Sequence, residues 1–319
     1  MFAYVRLRDW AYLLLCNLIW ASQFVMVKLV QEQMGPVFAT FFPILLATLL
    51  LIPVVRHEQA RAGGRRGRLP RRDIFEFILI GVLGQVVAQL FITWGVRWSL
   101  ASNAALLALT LPISTAVMAY FLLGERMTRV RWLSFALALV GVIECSGIDW
   151  KALNFTSVKF LLGNLMIFFS VNGSAFYNAY SKKLLERYSP LQVLLCSYYA
   201  VVAFLGPITV YVEPQGFIRL PHYNGTVWLG LAILALFQYF LSMVIFLNVL
   251  TRLDATQAAV SNYLIPFFGV LIAAVVLHER LTTFMIVGGI LVLGSTLLVT
   301  VYEERQRARE AASVAAANK

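Results

Sequence analysis

Apolar residues run along this chain in windows of about 17–26 positions, each long enough to cross a bilayer as a helix. Charge, or a Pro, Gly or Asn, interrupts every window. The pattern predicts ten helices: Trp10–Leu29, Pro36–Val55, Ile74–Val96, Ser102–Leu123, Arg131–Gly147, Lys159–Ser181, Pro190–Val212, Gly225–Leu250, Thr256–Leu277 and Thr283–Tyr302. Pro36 and Pro190 open the second and seventh, where a missing N–H costs nothing because the first helical amides have no intrahelical partner.

Composition agrees with that reading. The 319 residues are 61% hydrophobic and 13% charged, with a mean hydropathy of +0.80, whereas soluble domains are about 45–50% apolar and about 25% charged. Ten spans of about 20 residues use most of the chain, so no separate soluble domain fits. The fold class is all-α integral membrane. Cys16, Cys145 and Cys196 lie inside apolar runs and suggest neither a disulfide framework nor a zinc cluster. No small-residue cleavage site follows the first apolar run, so a cleavable signal peptide is not expected.

A net charge of +11 would point to nucleic acid in a soluble protein, but in a membrane protein it first reports sidedness. With the N-terminus inside, 20 of the 26 Lys and Arg fall in inside segments, seven of them in residues 56–72. Both termini are therefore expected in the cytoplasm, with Asp149–Ser157 and Glu213–Asn224 outside. The basic run reads as a topology signal, or as a contact for anionic membrane lipids. Nucleic acid is not an expected partner. Trp10, Trp94, Trp98, Trp132, Trp150 and Trp228 fall near span ends, as interfacial aromatics do, while Trp20 lies mid-span.

Sliding the chain along itself by 154 residues superimposes Pro36 on Pro190, Pro53 on Pro207, Pro112 on Pro266, and Glu125-Arg126-Met127-Thr128 on Glu279-Arg280-Leu281-Thr282. The chain then divides into two five-helix repeats, residues 10–147 and 159–302, with a cytoplasmic tail at 303–319. An odd number of spans reverses the second copy in the membrane. Inverted repeats of this kind are typical of secondary transporters, which bind solute near the midplane between the halves.

Those residues also carry a family resemblance. Two five-helix halves, a first span reading LIWASQFVMVK and glutamates closing the fourth and ninth spans as LLGERMT and VLHERLT resemble the EamA family of the drug/metabolite transporter superfamily over about residues 10–302. Two positions depart from the usual pattern: Ala21 follows Trp20 where Gly is usual, and His278 precedes Glu279 where Gly is usual. The resemblance implies a transporter of small organic solutes such as amino acids, related metabolites or drug-like compounds, often an exporter, in a membrane expected to be the bacterial inner membrane.

Polar residues inside the spans locate the candidate chemistry, because each needs a partner where water is absent. Trp20, Gln85, Gln89, Asn178, Gln238 and Tyr263 are expected to line a central cavity, Trp20 stacking on the apolar part of a solute and the amides orienting its polar end. Pro112 and Pro266 each delete a backbone hydrogen bond inside a span and are candidate gating hinges. Glu144, within the fifth span, is a candidate for proton coupling or cation recognition. Lys and Arg are missing at mid-depth, which disfavours phosphorylated solutes. The histidines lie in loops or at a span end and no phosphate-binding loop motif occurs, so neither an enzyme, a resident metal or cofactor, nor a primary pump is expected. The alternative in a different class is a non-transporting membrane protein that binds lipid or serves assembly.

Overall fold

The computed structural model describes residues 2–61, 70–111, 113–115, 118, 128–144, 155–251 and 264–317. Among the described residues the regular secondary structure is helical and no strand occurs. In chain order the helices are α1 (Phe2–Val30), α2 (Pro36–Arg61), α3 (Arg71–Trp98), α4 (Ala101–Thr110), α5 (Arg129–Glu144), α6 (Phe155–Leu185), α7 (Pro190–Val212), α8 (Gly225–Val249), α9 (Leu264–Val276) and α10 (Thr283–Ala317). Six of them, α1, α2, α3, α6, α7 and α8, are long and apolar enough to cross a membrane. Only 44–56% of the most apolar window in each of the six is buried. The rest presents side chains such as Leu49, Phe75, Leu162, Val210 and Leu229 outward, a surface suited to lipid tails and not to water.

Within lipid the tails are as apolar as leucine, so helices associate through close packing rather than hydrophobic exclusion. The α3–α6 contact shows how. A methyl group at Gly173 would lie 2.7 Å from the Ala88 nitrogen, and one at Gly95 would lie 2.8 Å from the Gly163 carbonyl oxygen. Only small residues let these two backbones approach so closely. The remaining contacts form exchangeable sets: α3 lies along α6 as α8 lies along α1, α4 meets α6 as α9 meets α1, and α3 meets α7 as α8 meets α2. The pairs α2–α7 and α5–α10 join the two halves of the chain.

Two departures from simple helices matter. In α3, Ile80–Val86 is π-helical, with the Val87 N–H reaching back to Val82, and in α8 the π-helical stretch is Ile233–Ser242. The two stretches overlap under the 154-residue shift. A π-turn inserts an extra residue, rotates the face that follows and often marks a functional position.

Polar clusters stand at opposite ends of α3. Near its start, Arg187 donates to Asp73 Oδ1 at 2.5 Å and to Glu76, and the Tyr188 hydroxyl donates to Asp73. Burial, together with the Asp73 carboxylate, pushes the Tyr188 hydroxyl up to about 12, and the Glu76 and Asp73 carboxylates raise Arg187 above its ordinary value. Near the end of α3, Lys28 Nζ donates to the Ser99 carbonyl at 2.5 Å and to Val96 at 3.3 Å.

Helix caps reach across the chain. Leu100, at the N-cap of α4, offers no side-chain acceptor, so the first amides of that helix need a partner from elsewhere. Glu279 supplies it: its carboxylate accepts from the Ala101 N–H at 3.1 Å, the Ser102 N–H at 3.0 Å and the Ser102 hydroxyl at 2.6 Å. Glu213 does the same for α2, accepting from Val37 and Phe38 at 3.2 and 2.8 Å.

Candidate functional site

One cavity of about 120 Å³ lies among α1, α3, α4, α6, α8 and α9. Its polar wall comes from Trp20 and Gln23 on α1, Gln85 and Gln89 on α3, Ser170, Ser174, Tyr177 and Asn178 on α6, and Gln238 on α8. Phe24, Ile92, Leu111, Val171, Met243 and Ile265 supply the apolar wall. Among the described residues the lining carries no Asp, Glu, Lys or Arg.

Carboxamides are joined into a strip across the cavity. Gln238 Nε2 donates to Gln23 Oε1 at 2.7 Å, Gln23 Nε2 donates to Gln89 Oε1 at 2.7 Å, and Gln89 Nε2 donates to Gln85 Oε1 at 3.5 Å. The Tyr239 hydroxyl also donates to Gln89 Oε1, at 3.3 Å. Helical spacing places these groups: Gln23 stands one turn beyond Trp20, and Gln85 and Gln89 stack on one face of α3. Gln85 and Gln238 both lie within π-helical stretches, one in each half of the chain.

Trp20 is anchored by its own bond, Nε1 donating to Ser242 Oγ at 3.0 Å, and sits edge-on to Phe246 with ring centroids 4.9 Å apart. Its ring is therefore held at the cavity wall in a fixed orientation. The Tyr177 hydroxyl lies beside Gln85, Ser181 and Ser197.

Not every intramembrane amide faces this space. Asn103 donates to Ser99 Oγ at 3.2 Å and to Asn164 Oδ1 at 3.3 Å, tying α4 and α6 to the end of α3. Asn172 and Asn248 bond to carbonyls one turn back on their own helices, at 2.9 and 2.7 Å. These three hold structure together, as interhelical and local bonds commonly do in membranes.

The sequence matches the EamA-like transporter family over residues 10–145 and again over 161–301. The chain belongs to that family. It is a multi-pass membrane protein and a transporter that handles small solutes. A relative from Streptantibioticus cattleyicolor, named a probable terminal-alkyne amino-acid exporter, is 28% identical over 91% of this chain and 92% of its own. An uncharacterized transporter of Archaeoglobus fulgidus is 25% identical over 90% of this chain and 96% of its own. A solved crystal structure at 16% identity superposes with a TM-score of 0.62, covering 94% of this chain and 98% of that one, and so shares the fold.

Within this EamA protein, the cavity brings together Trp20, Gln85, Gln89, Asn178 and Gln238. Tyr263 and Pro112 lie outside the described residues. Pro266 is buried in α9, next to the lining residue Ile265. Glu144 is the last residue of α5, half-buried and not part of the lining. Two residues of consequence escaped the reading of the sequence. Gln23 is the centre of the amide strip, and its position three residues after Trp20 on the same helical face was the available signal. From the sequence Glu213 reads only as a loop residue; Gly35, before Pro36, offers no capping side chain, which is the sign that a distant carboxylate is needed.

Proposed function

We propose that this protein is a secondary transporter that moves small organic solutes through the amide-lined cavity by alternating access. The observation that carries the reading is the cavity itself: a mostly apolar space crossed by carboxamides, lined by no charged side chain among the described residues and walled by helices from both halves, with π-turns at matching places on α3 and α8. Amides orient the polar end of a solute and Trp20 with the apolar wall takes the rest. The two matched segments and the exchangeable helix contacts support two five-helix repeats, ten spans in all, inverted relative to each other. The Lys and Arg distribution supports termini in the cytoplasm. Export of amino acids or related compounds is the favoured direction and substrate class, supported by the name of the Streptantibioticus relative. Pro266, and Pro112 at the equivalent place in the first half, are the proposed hinges, and Glu144 the candidate coupling group.

A thermal-shift screen of the purified protein against amino acids and other metabolites tests this, since a ligand that binds only the folded form raises apparent stability. Hits that vanish in Trp20→Ala and Gln89→Ala, with both variants folded, are the expected result. Hits that persist unchanged in both variants overturn the site. Pro266→Ala should slow transport while binding is kept, because its cost falls on interconversion between states; parent rates of both would remove the hinge.

A further inference from the structure

Both halves of the chain wall the cavity, so its lining can be compared position by position. Under the 154-residue shift Trp20 corresponds to Ser174, Ser242 to Ala88, Phe246 to Ile92 and Leu111 to Ile265. Backbone contacts at this depth match: Cys16 Sγ donates to the Ser242 carbonyl at 3.5 Å, and the equivalent Ser170 Oγ donates to the Ala88 carbonyl at 2.6 Å. The side chains do not match. Between α1 and α8 an indole is held at the wall by the Ser242 hydroxyl and the Phe246 ring. Between α6 and α3 the same three places carry Ser174, Ala88 and Ile92, each smaller than its counterpart. A serine is too short to cover the turn before it, and Ala88 has no hydroxyl with which to anchor a larger group.

The cavity is correspondingly lopsided. Ser170 and Val171, one turn before Ser174, line it. Their counterparts Cys16 and Asn17, one turn before Trp20, are 0% and 1% exposed and lie outside the lining. The space therefore reaches one helical turn further along α6 than along α1.

We propose that this recess, floored by Ala88, Ile92, Ser170, Val171 and Ser174, receives a bulky apolar group of the solute, and that Ser174 and Ala88 set the largest group admitted. The proposal rests on the cavity being the solute site. Ala88, Ile92 and Val171 give the recess an apolar surface. Ser170 donates its hydroxyl hydrogen to the Ala88 carbonyl, so neither of those polar groups calls for a polar partner on the solute. A ring or branched chain seated there gains affinity with the apolar area it removes from water, whereas a methyl group leaves the recess unfilled and forfeits those contacts.

Calorimetric titration of the purified protein with alanine, leucine, phenylalanine and tryptophan tests the assignment. Affinity of the parent should rise from alanine to leucine to phenylalanine. Ser174→Trp combined with Ala88→Ser rebuilds in the second half the indole and anchor of the first, and fills the recess. In that variant the affinity ratio of phenylalanine to alanine, and of tryptophan to alanine, should fall by about tenfold or more. Ser174→Leu fills less and should lower the tryptophan ratio by a smaller factor; if the paired variant does not fold, this one carries the test. Parent affinity that ignores side-chain size, or unchanged ratios in the folded Ser174 variants, overturns the proposal. Gln89→Ala separates the two levels. Weaker binding of all four amino acids there, with unchanged ratios in the Ser174 variants, retains the cavity and removes the recess. Parent-like binding in Gln89→Ala, Trp20→Ala and the Ser174 variants together, or binding of none of the four by the parent, removes the cavity reading and the recess with it.

Discussion

Removing the Glu279 carboxylate should uncap α4 and loosen the contact between α9 and the first half of the chain. Glu279→Ala deletes three hydrogen bonds to a carboxylate whose side chain is 7% exposed, two of them from amides with no local cap. Losing an N-cap costs about 1 kcal/mol, up to about 2, and hydrogen bonds to a charged group contribute about 1.5–3 kcal/mol each. These figures overlap, because the cap and the bonds are one interaction, and about 2–4 kcal/mol is the expected loss. Glu279→Gln keeps an acceptor oxygen but no charge, and should lose about half as much. Lys28, 3.9 Å away and 31% exposed, contributes less: a partly solvated ion pair is worth about 1 kcal/mol at most, and Lys28 retains its two carbonyl partners. Thermal unfolding in detergent, followed by size-exclusion of the surviving protein, should show a midpoint lower by about 4–8 °C for Glu279→Ala. A double-mutant cycle with Lys28→Ala should give a coupling of about 1 kcal/mol or less. A midpoint within about 1 °C of the parent, or a coupling to Lys28→Ala as large as the whole Glu279→Ala effect, refutes the capping argument.

Gly173→Val should destabilise by about 1–3 kcal/mol or prevent folding, because the added carbon meets the Ala88 backbone nitrogen at 2.7 Å, whereas Gly294→Val, with nothing within 4 Å, should be tolerated; the yield of monodisperse protein checks both. His278 holds a left-handed backbone at φ 55, where the equivalent position of the first half carries Gly124. His278→Gly relieves about 1–2 kcal/mol of strain and forfeits about 0.4–1 kcal/mol through a freer unfolded chain, so a small rise in thermal midpoint is expected and a fall would contradict it.

Much of this architecture is legible in the amino-acid order because the bilayer imposes a length and a polarity on every span. The boundaries Pro36, Pro190 and Val212 fall where the proline and charge punctuation puts them. Gln85, Gln89 and Gln238 were recognisable as cavity residues because an amide at that depth must meet another polar group. What escaped is set by tertiary geometry. A π-turn leaves no compositional mark: Ile80–Val86 and Ile233–Ser242 read as ordinary apolar helix. Yet Gln85 and Gln238 both lie within these turns, and a π-turn rotates the helix face that follows it. Long-range caps are similarly silent, since Glu279 lies 177 residues or more from the amides it satisfies. Which helix end Glu279 secures depends on how α9 packs on α4. Asn103 and Asn164 show the reverse limit, since their spacing marks them as polar positions without distinguishing a tie between helices from a contact with solute.

The central claim is that solute crosses through the space bridged by Gln23, Gln89 and Gln238. Counterflow of radiolabelled phenylalanine and leucine in proteoliposomes tests it most directly, comparing the parent with Gln23→Ala and with Leu229→Ala, a change on the outward face of α8. Removing Gln23 breaks the strip at its centre. Exchange by the parent and the Leu229 variant, with a loss of about tenfold or more in folded Gln23→Ala, is the predicted result; equal exchange by all three, or no exchange by the parent above protein-free liposomes, would contradict it.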